Sequence, residues 1–274
     1  MLYSSALNVN RRGLFAAAGS IAAVCAAPFA ASAQADGKPK NFVLVHGSWH
    51  GGWCWSRVAA ALAQKQHRVF AVTQTGLGDR RHLANAATHI DVFVDDIVNA
   101  IESEELEDVV LVGHSFGGIP VTGAAARIPT RIRSLVYLDA GVPDVGESAI
   151  SPLSPPEQER RRQSAVMVDG VEVLAAPAAL PAYWGVAGTD ADWVLRRLTP
   201  HPFATYITPL QYDKDRWEKI PRTYVQCTAP HHPALGASQA KLRANPRWRW
   251  IEFASGHDAM VSHPVELARA LESV

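Results

Sequence analysis

Short apolar runs alternate with amphipathic stretches along most of the chain, and this alternation predicts the secondary structure. The apolar runs have the length of buried strands and end in loops rich in glycine and polar residues. The predicted strands are 41–45, 68–72, 108–112, 134–138, 222–226 and 249–253. Helices, where apolar residues recur on one face, are predicted at 55–66, 89–102 and 264–271, with another that ends near 127. Alternating strands and helices favour an α/β fold, in which a mostly parallel sheet is covered by helices on both faces.

The alternation stops between 141 and 220, where the composition also changes. This segment is rich in proline, holds the charged run 157–162 and contains scattered aromatic residues. Because stretches with the strand and helix pattern lie on both sides of it, the segment predicts a cap inserted into the sheet domain. Residues 41–140 and 221–274 are then the core of that domain.

The first 33 residues differ from the rest and predict an export signal that is removed from the mature protein. Arg11 and Arg12 precede an alanine-rich apolar run from 16 to 31, and Ala31-Ser32-Ala33 has the small-x-small form of a cleavage site. The paired arginines resemble a twin-arginine signal. The run is short for a membrane span. We therefore expect a protein exported to the periplasm or secreted, with no stable membrane insertion after cleavage.

The charge balance and the Cys and His content narrow the classes of partner. The 274 residues include 26 Lys and Arg and 26 Asp and Glu, and no basic stripe accompanies this balance, so we expect no nucleic-acid partner. Cys54 and Cys227 each lie beside an apolar segment, which favours two buried free thiols over a disulfide. No Cys/His spacing indicates zinc, and His231 and His232, in a proline-containing loop, are expected on the surface. The oligomeric state stays open.

The candidate chemistry begins with a G-x-S-x-G motif at 113–117, between a predicted buried strand and a predicted helix. In this context the serine sits on a strained turn that projects its hydroxyl above the sheet, and the glycines let strand and helix approach each other. Ser115 is therefore the expected nucleophile. A serine hydroxyl needs a base to take its proton. His257 lies just after the last predicted strand, in the chain order that such a site requires, and is the expected base.

The tetrahedral intermediate of acyl transfer also needs hydrogen-bond donors for its negative oxygen. One candidate is the backbone N–H of Phe116, directly after the nucleophile. The loop after the first predicted strand, residues 46–48, supplies the other, which we assign to the backbone N–H of Ser48. This chemistry needs neither a metal ion nor an organic cofactor.

Together these motifs resemble the α/β-hydrolase superfamily over about 41–271. Residues 42–53 (FVLVHGSWHGGW) are similar to the branch of plant methylesterases and hydroxynitrile lyases, and residues 75–82 (TGLGDRRH) to bacterial esterase-like members. The resemblance implies an α/β-hydrolase fold and a serine hydrolase that cleaves a small carboxylic ester through an acyl-enzyme intermediate. An amidase or a lactonase stays open, because the catalytic residues do not determine the leaving group.

Two other activities of related proteins fit this chain less well. Hydroxynitrile lyases of this branch generally carry threonine where this chain has Gly47 and lysine where it has Asp258. A carboxylate at the second position would not stabilise a departing cyanide. A ligand-binding homologue need not keep nucleophile, base and oxyanion loop together, and this chain keeps all three.

The position of the acid that would orient the base differs from the usual pattern of the family that this chain resembles. The family usually places an aspartate just after the strand predicted at 222–226, but residues 227–232 (CTAPHH) contain no carboxylate. Some α/β-hydrolases carry the acid after the preceding core strand, where this chain has Asp139. Asp139 is therefore the expected acid, and it would fix the tautomer of His257. The alternatives are Asp258, Asp213, Asp215 and a dyad without an acid.

The inserted segment is expected to determine the substrate. Its aromatic residue Trp184 is expected to line an apolar pocket together with Trp49 and His82. The alternative is that the aromatic residues of the segment form its own core. A small or aromatic acyl group is favoured over a long lipid chain, and a small-molecule ester is the partner expected.

Overall fold

The computed structural model describes residues 38–232 and 235–274, so the expected export signal at 1–33 lies outside the described residues. The strands are β1 (Asn41–Val45), β2 (Arg68–Val72), β3 (Val109–His114), β4 (Ile132–Leu138), β5 (Ala165–Val168), β6 (Val171–Leu174), β7 (His201–Pro202), β8 (Arg222–Cys227) and β9 (Trp248–Phe253). The helices are α1 (Ser56–Ala63), α2 (Ile90–Ser103), α3 (Gly118–Arg127), α4 (Pro155–Gln163), α5 (Leu180–Tyr183), α6 (Gly188–Leu195), α7 (Ala204–Ile207), α8 (Lys214–Glu218), α9 (Gly236–Arg243), α10 (Ala259–Ser262) and α11 (Pro264–Glu272).

Six strands form one sheet in the order β2-β1-β3-β4-β8-β9, and every neighbouring pair is parallel. All of β3 is buried, as expected of a central strand in a sheet covered on both faces. Helices flank the sheet and pack in pairs, α1 against α11 and α2 against α3. The α/β fold predicted from the alternation is therefore confirmed. Within the described ranges, no helix is long and apolar enough to cross a bilayer.

The strand order reverses at β1, which lies between β2 and β3. In open parallel sheets, ligands bind outside the carboxyl ends of the strands at such a reversal. The loops that follow β1, β3, β4 and β9 all leave from this edge. Residues that are far apart in the sequence therefore meet there.

The segment between β4 and β8 contains a second, antiparallel sheet, β5-β6-β7, and the helices α4 to α8. Of its described residues, none joins the six-stranded sheet. We refer to residues 141–220 as the cap.

Several elements begin or end a few residues away from their predicted bounds. β3 continues to His114, past the predicted end at 112, so the strand leads directly into Ser115. The helix predicted at 55–66 consists of a 3-10 turn, Gly52–Trp55, followed by α1.

Both predicted thiols are buried and free, as the sequence indicated. Burial raises the pKa of the Cys54 thiol and of the Cys227 thiol well above the ordinary range. The Cys227 sulfur lies 3.6 Å from the Ser255 hydroxyl, which donates to it. Both thiols are therefore packed in the core in their neutral form.

Candidate active site

Ser115 occupies a sharp turn between β3 and α3. Its backbone φ is 53°, in the left-handed region that a non-glycine residue rarely adopts. A Cβ on Gly117 would lie 2.6 Å from the His46 carbonyl oxygen, so only glycine permits the loop after β1 to approach so closely. The motif at 113–117 thus forms the strained strand-to-helix turn that the sequence predicted.

The structure brings His257 and Asp139 together, 118 positions apart in the chain. His257 Nδ1 donates to Asp139 Oδ2 over 2.7 Å, and the Asp139 side chain is fully buried. Because the proton is on Nδ1, Nε2 is free to accept a proton. The Ser115 hydroxyl makes no hydrogen bond to another described residue, and it shares a cavity with His257.

The second oxygen of Asp139 is also held. Oδ1 accepts from the Gln239 side-chain amide over 2.9 Å and lies 3.4 Å from the Cys227 N–H, which also donates to it. The Gln239 carbonyl oxygen in turn accepts from His231 Nε2 over 2.8 Å. Donors on both oxygens fix the plane of the carboxylate and keep it turned toward His257.

The other aspartates considered as the acid that would orient His257 make no hydrogen bond to that ring. Asp213 caps α8, where its Oδ1 accepts from the backbone N–H of Arg216 over 3.1 Å, and Asp215 is in the first turn of the same helix. Asp258 is fully buried, but its Oδ2 lies 3.2 Å from His50 Nε2 and pairs with that ring.

The ring of His257 packs against two other imidazoles, both tilted relative to it. Its centroid lies 4.6 Å from that of His114 and 4.5 Å from that of His232. His232, expected on the surface, is half-buried and lines the cavity, so that expectation is wrong; His231 is exposed, as expected. Burial, and then the neighbouring His257, lower the pKa of His232 to about 4, so the ring is neutral at pH 7. The loop containing His232 follows β8 and therefore leaves from the same sheet edge as the site.

The cavity has a volume of about 440 Å³ and opens beside Ser115 and His257. Trp49 and Trp184 both line it, with ring centroids 6.1 Å apart. His82 is exposed on the 3-10 turn Gly78–Leu83 and does not line the cavity, so the expectation for His82 is wrong. The cap aromatic residues divide between two roles. Tyr183, Trp184 and Tyr206 line the cavity, whereas Trp193 and Phe203 do not.

The loop after β1 lies directly against Ser115. Ser48 and Phe116, the residues expected to hold an oxyanion, both line the cavity. The Ser48 amide makes no hydrogen bond to another described residue. The Phe116 amide lies in the first turn of a helical segment that begins at Ser115, where amides have no partner within the helix. Both amides are therefore available to a ligand.

Two buried histidines hold the peptide bond that follows Ser48. His50 Nδ1 donates to the Ser48 carbonyl over 2.8 Å, and the Trp49 N–H donates to His201 Nδ1 over 3.3 Å. Trp49 itself has a φ of 64°. The unusual backbone at this point is thus held at both ends of the peptide unit directly after Ser48.

Gly47→Ala is expected to lower kcat about 10²-fold through misplacement of the reacting groups. The added Cβ would lie 2.8 Å from Ser115 Cβ and 3.0 Å from His114 Nδ1, so the loop or the serine must move. Steady-state kinetics on one ester, with melting temperatures as a check on folding, measure the effect. Gly236→Ala is the matched control, because its Cβ would meet its nearest neighbour at an ordinary 3.8 Å. Equal kcat values for Gly47→Ala and the control would contradict the close approach.

Buried histidines make the fold sensitive to acid. Burial lowers the pKa of His46 to about 3, and burial also lowers the pKa of His114 and of His201. In the unfolded chain these rings take up protons near pH 6.5. The unfolded state therefore binds more protons below that pH, and stability falls as the pH drops from about 6.5 toward 3.

Between pH 7 and pH 5, each buried neutral ring is expected to reduce the free energy of unfolding by about 2 kcal/mol. Urea denaturation at the two pH values measures the loss. His201→Gln should show a smaller loss than the unmodified chain by about that amount, because one such ring is gone. His82→Gln, which removes an exposed ring, serves as the control. The same loss in His201→Gln as in the unmodified chain would contradict the interpretation.

Comparison with known proteins gives the class. A family model described as Alpha/beta hydrolase family matches residues 42–270. The carbendazim hydrolyzing esterase of Nocardioides sp. (strain SG-4G) is 41% identical over 245 residues, which cover 85% of this chain and 99% of that protein. The parallel sheet, the serine turn and this similarity define a carboxylic ester hydrolase.

The chain belongs to the alpha/beta hydrolase family, which confirms the family and the enzyme class predicted from the sequence. Methylesterase 10 of Arabidopsis thaliana is 39% identical over 104 residues, and this match covers 38% of each chain. An extracellular alpha/beta-hydrolase from a Paenibacillus species has the same fold, with a TM-score of 0.72 and 23% identity over 86% of this chain and 98% of its own.

Proposed function

We propose that the protein cleaves small carboxylic esters, with Ser115 as nucleophile, His257 as general base and Asp139 as the acid that orients the base. The observation that carries this proposal is the 2.7 Å hydrogen bond from His257 Nδ1 to Asp139 Oδ2, beside the cavity that Ser115 and His257 both line. A base with its tautomer fixed, next to a serine on a strained turn, is the arrangement that acyl transfer requires.

The reaction proceeds in two halves. Ser115 Oγ attacks the ester carbonyl while His257 Nε2 takes its proton, and the amides of Ser48 and Phe116 bind the oxyanion. His257 then gives that proton to the leaving alcohol, and the acyl-enzyme remains. Water, deprotonated by the same ring, attacks the acyl group, and collapse of the second intermediate releases the acid and restores the serine.

The cavity favours a compact acyl group with a planar part. Its volume of about 440 Å³ suits a small ligand, and the aromatic residues Trp49 and Trp184 line it. A long lipid chain would extend beyond it. The similarity to the carbendazim hydrolyzing esterase supports the same class of small ester substrate.

The experiment is hydrolysis of a panel of compounds by purified protein: methyl and p-nitrophenyl esters with small and aromatic acyl groups, carbendazim, matched amides, and lactones. We expect the highest kcat/KM on an ester, and one phosphonate per chain, on Ser115, after treatment with an organophosphonate ester. Faster turnover of an amide or a lactone would replace the ester as the substrate class. Turnover of a cyanohydrin without ester cleavage, or binding without any turnover, would overturn the proposal.

We also propose that the protein is exported by a signal within residues 1–33 and acts in the periplasm. The pair Arg11 and Arg12, the apolar run after it and Ala31-Ser32-Ala33 support this. We expect the full chain to appear in the periplasmic fraction at the mass of the cleaved form. Replacing both arginines by lysine should retain it in the cytoplasm, and export of that variant at the normal level would overturn the twin-arginine assignment.

A further inference from the structure

The oxyanion loop carries a hydroxyl group as well as an amide, and this hydroxyl is paired with a tyrosine of the cap. We propose that the Ser48 side-chain hydroxyl is a third donor to the oxyanion, held in place by the Tyr206 phenol. The inference rests on the proposed function, since it names a further catalytic group, Ser48 Oγ, and a positioning residue, Tyr206, for the same reaction.

The position of Ser48 supports a direct role. The preceding residue, Gly47, packs against Ser115 so closely that a Cβ there would touch the nucleophile. Ser48, Ser115 and Tyr206 all line the same cavity, and Ser48 is 8% exposed. A substrate carbonyl attacked by Ser115 therefore lies beside a residue that presents both an N–H and an O–H.

The count of protons indicates which group is free to donate. The Ser48 and Tyr206 oxygens form one short hydrogen bond with each other, and neither makes a second hydrogen bond to a described residue. Each hydroxyl has one proton. When the phenol donates to Ser48 Oγ, the Ser48 proton remains unused, and the oxyanion is the acceptor that the intermediate supplies.

The surroundings of Tyr206 keep the phenol protonated and hold its ring in place. Burial raises its pKa to about 12, so the phenol keeps its proton throughout the neutral range. The guanidinium of Arg161 lies 5.9 Å from the ring centroid, and its charge offsets part of that rise in pKa. The ring also packs against Phe116 and His201, with centroids 4.9 Å away in both cases. The phenol is therefore fixed by contacts to both sides of the oxyanion site.

Two variants test the inference, Ser48→Ala and Tyr206→Phe, each of which removes one hydroxyl. Removal of a single oxyanion donor lowers kcat by about 10²-fold, and we expect this in Ser48→Ala with a smaller change in KM. Tyr206→Phe should lower kcat about tenfold, because Ser48 keeps its proton but loses its fixed orientation. The double variant should be no slower than Ser48→Ala alone. Ser134→Ala and Tyr137→Phe are matched controls, because both residues are buried on β4 and neither lines the cavity.

A thionoester substrate distinguishes a donor to the oxyanion from a purely structural residue. Its carbonyl sulfur is a weak acceptor, so loss of a donor should reduce its turnover far less than that of the matched oxygen ester. A misfolded or displaced loop would reduce both equally. We expect a smaller reduction for the thionoester than for the oxygen ester in both variants.

The outcomes separate this inference from the proposed function. Suppose that the unmodified enzyme hydrolyses esters. If Ser48→Ala then keeps its kcat, or if its turnover of the oxygen ester and of the thionoester falls equally, the inference is overturned and the proposed function stands. If the unmodified enzyme hydrolyses no ester, the proposed function fails and the inference fails with it.

Discussion

Ser115→Ala is expected to lower kcat for ester hydrolysis by about 10⁴- to 10⁶-fold, because the step that forms the acyl-enzyme loses its nucleophile. The change removes one oxygen atom. Alanine has a Cβ as serine does and can adopt the same φ of 53°, so the fold should persist. A continuous assay measures kcat, and circular dichroism measures the melting temperature. The melting temperature should change by only a few degrees.

A second measurement on the same variant identifies the bond that forms. The organophosphonate should add its mass to the unmodified enzyme and to Ser134→Ala, and it should add nothing to Ser115→Ala. Residual turnover within about tenfold of the unmodified enzyme, or labelling of the variant at another residue, would contradict the assignment of the nucleophile.

Asp139→Asn is expected to have the second largest effect, a loss of about 10⁴-fold in kcat. The amide can turn its NH₂ group toward His257, which would then hold its proton on Nε2, the wrong nitrogen for a base. The substitution preserves the shape of the buried site, and the 2.9 Å contact from Gln239 can still be made to the amide oxygen. The measurement is kcat as a function of pH, with the melting temperature alongside.

The matched controls for this prediction are Asp213→Asn and Asp215→Asn, on the same protein and with the same loss of charge. Asp213 caps the short helix α8 and Asp215 lies in its first turn, and neither lines the cavity, so their variants should keep their activity. If either control loses as much activity as Asp139→Asn, or Asp139→Asn retains activity, the acid is elsewhere.

Ser115 and His257 could be proposed from the sequence as nucleophile and base because their signals are local. A buried strand, a G-x-S-x-G motif and a helix define the turn at Ser115 without knowledge of any distant residue. The position of His257 follows from the last strand of the same pattern. The loops that carry these two residues meet because the carboxyl ends of parallel strands lie at one edge of the sheet.

To propose Asp139 as the acid, one had to look one strand earlier than the usual position. The order of the strands in the sheet explains why. β4 and β8 are neighbours in register, with Leu138 opposite Val225. The residue after the end of β4 therefore lies beside the end of β8, where the resembled family usually has its aspartate. The Cys227 N–H, at that end of β8, donates to Asp139. A carboxylate moved by one strand can thus reach the same histidine.

The residues that the sequence did not indicate lie where the chain has no periodic pattern. His232 reaches the cavity from a loop after β8 and was expected on the surface. Tyr206 reaches it from the cap, where it was one of several aromatic residues expected to line a pocket and no motif singled it out. The expectation that His82 lines the pocket was wrong for the opposite reason. Its motif was recognisable, but the side chain is exposed on a 3-10 turn. Motifs indicated which loops approach the site, but not the direction of individual side chains.

The burial of Cys54 and Cys227 has a practical consequence for handling the protein. The thiolate is the form that reacts with alkylating agents and oxidants, and burial disfavours it for both side chains. Iodoacetamide or a disulfide reagent should therefore leave the folded enzyme active and modify it only after denaturation. Preparations should keep their activity in air without added reductant.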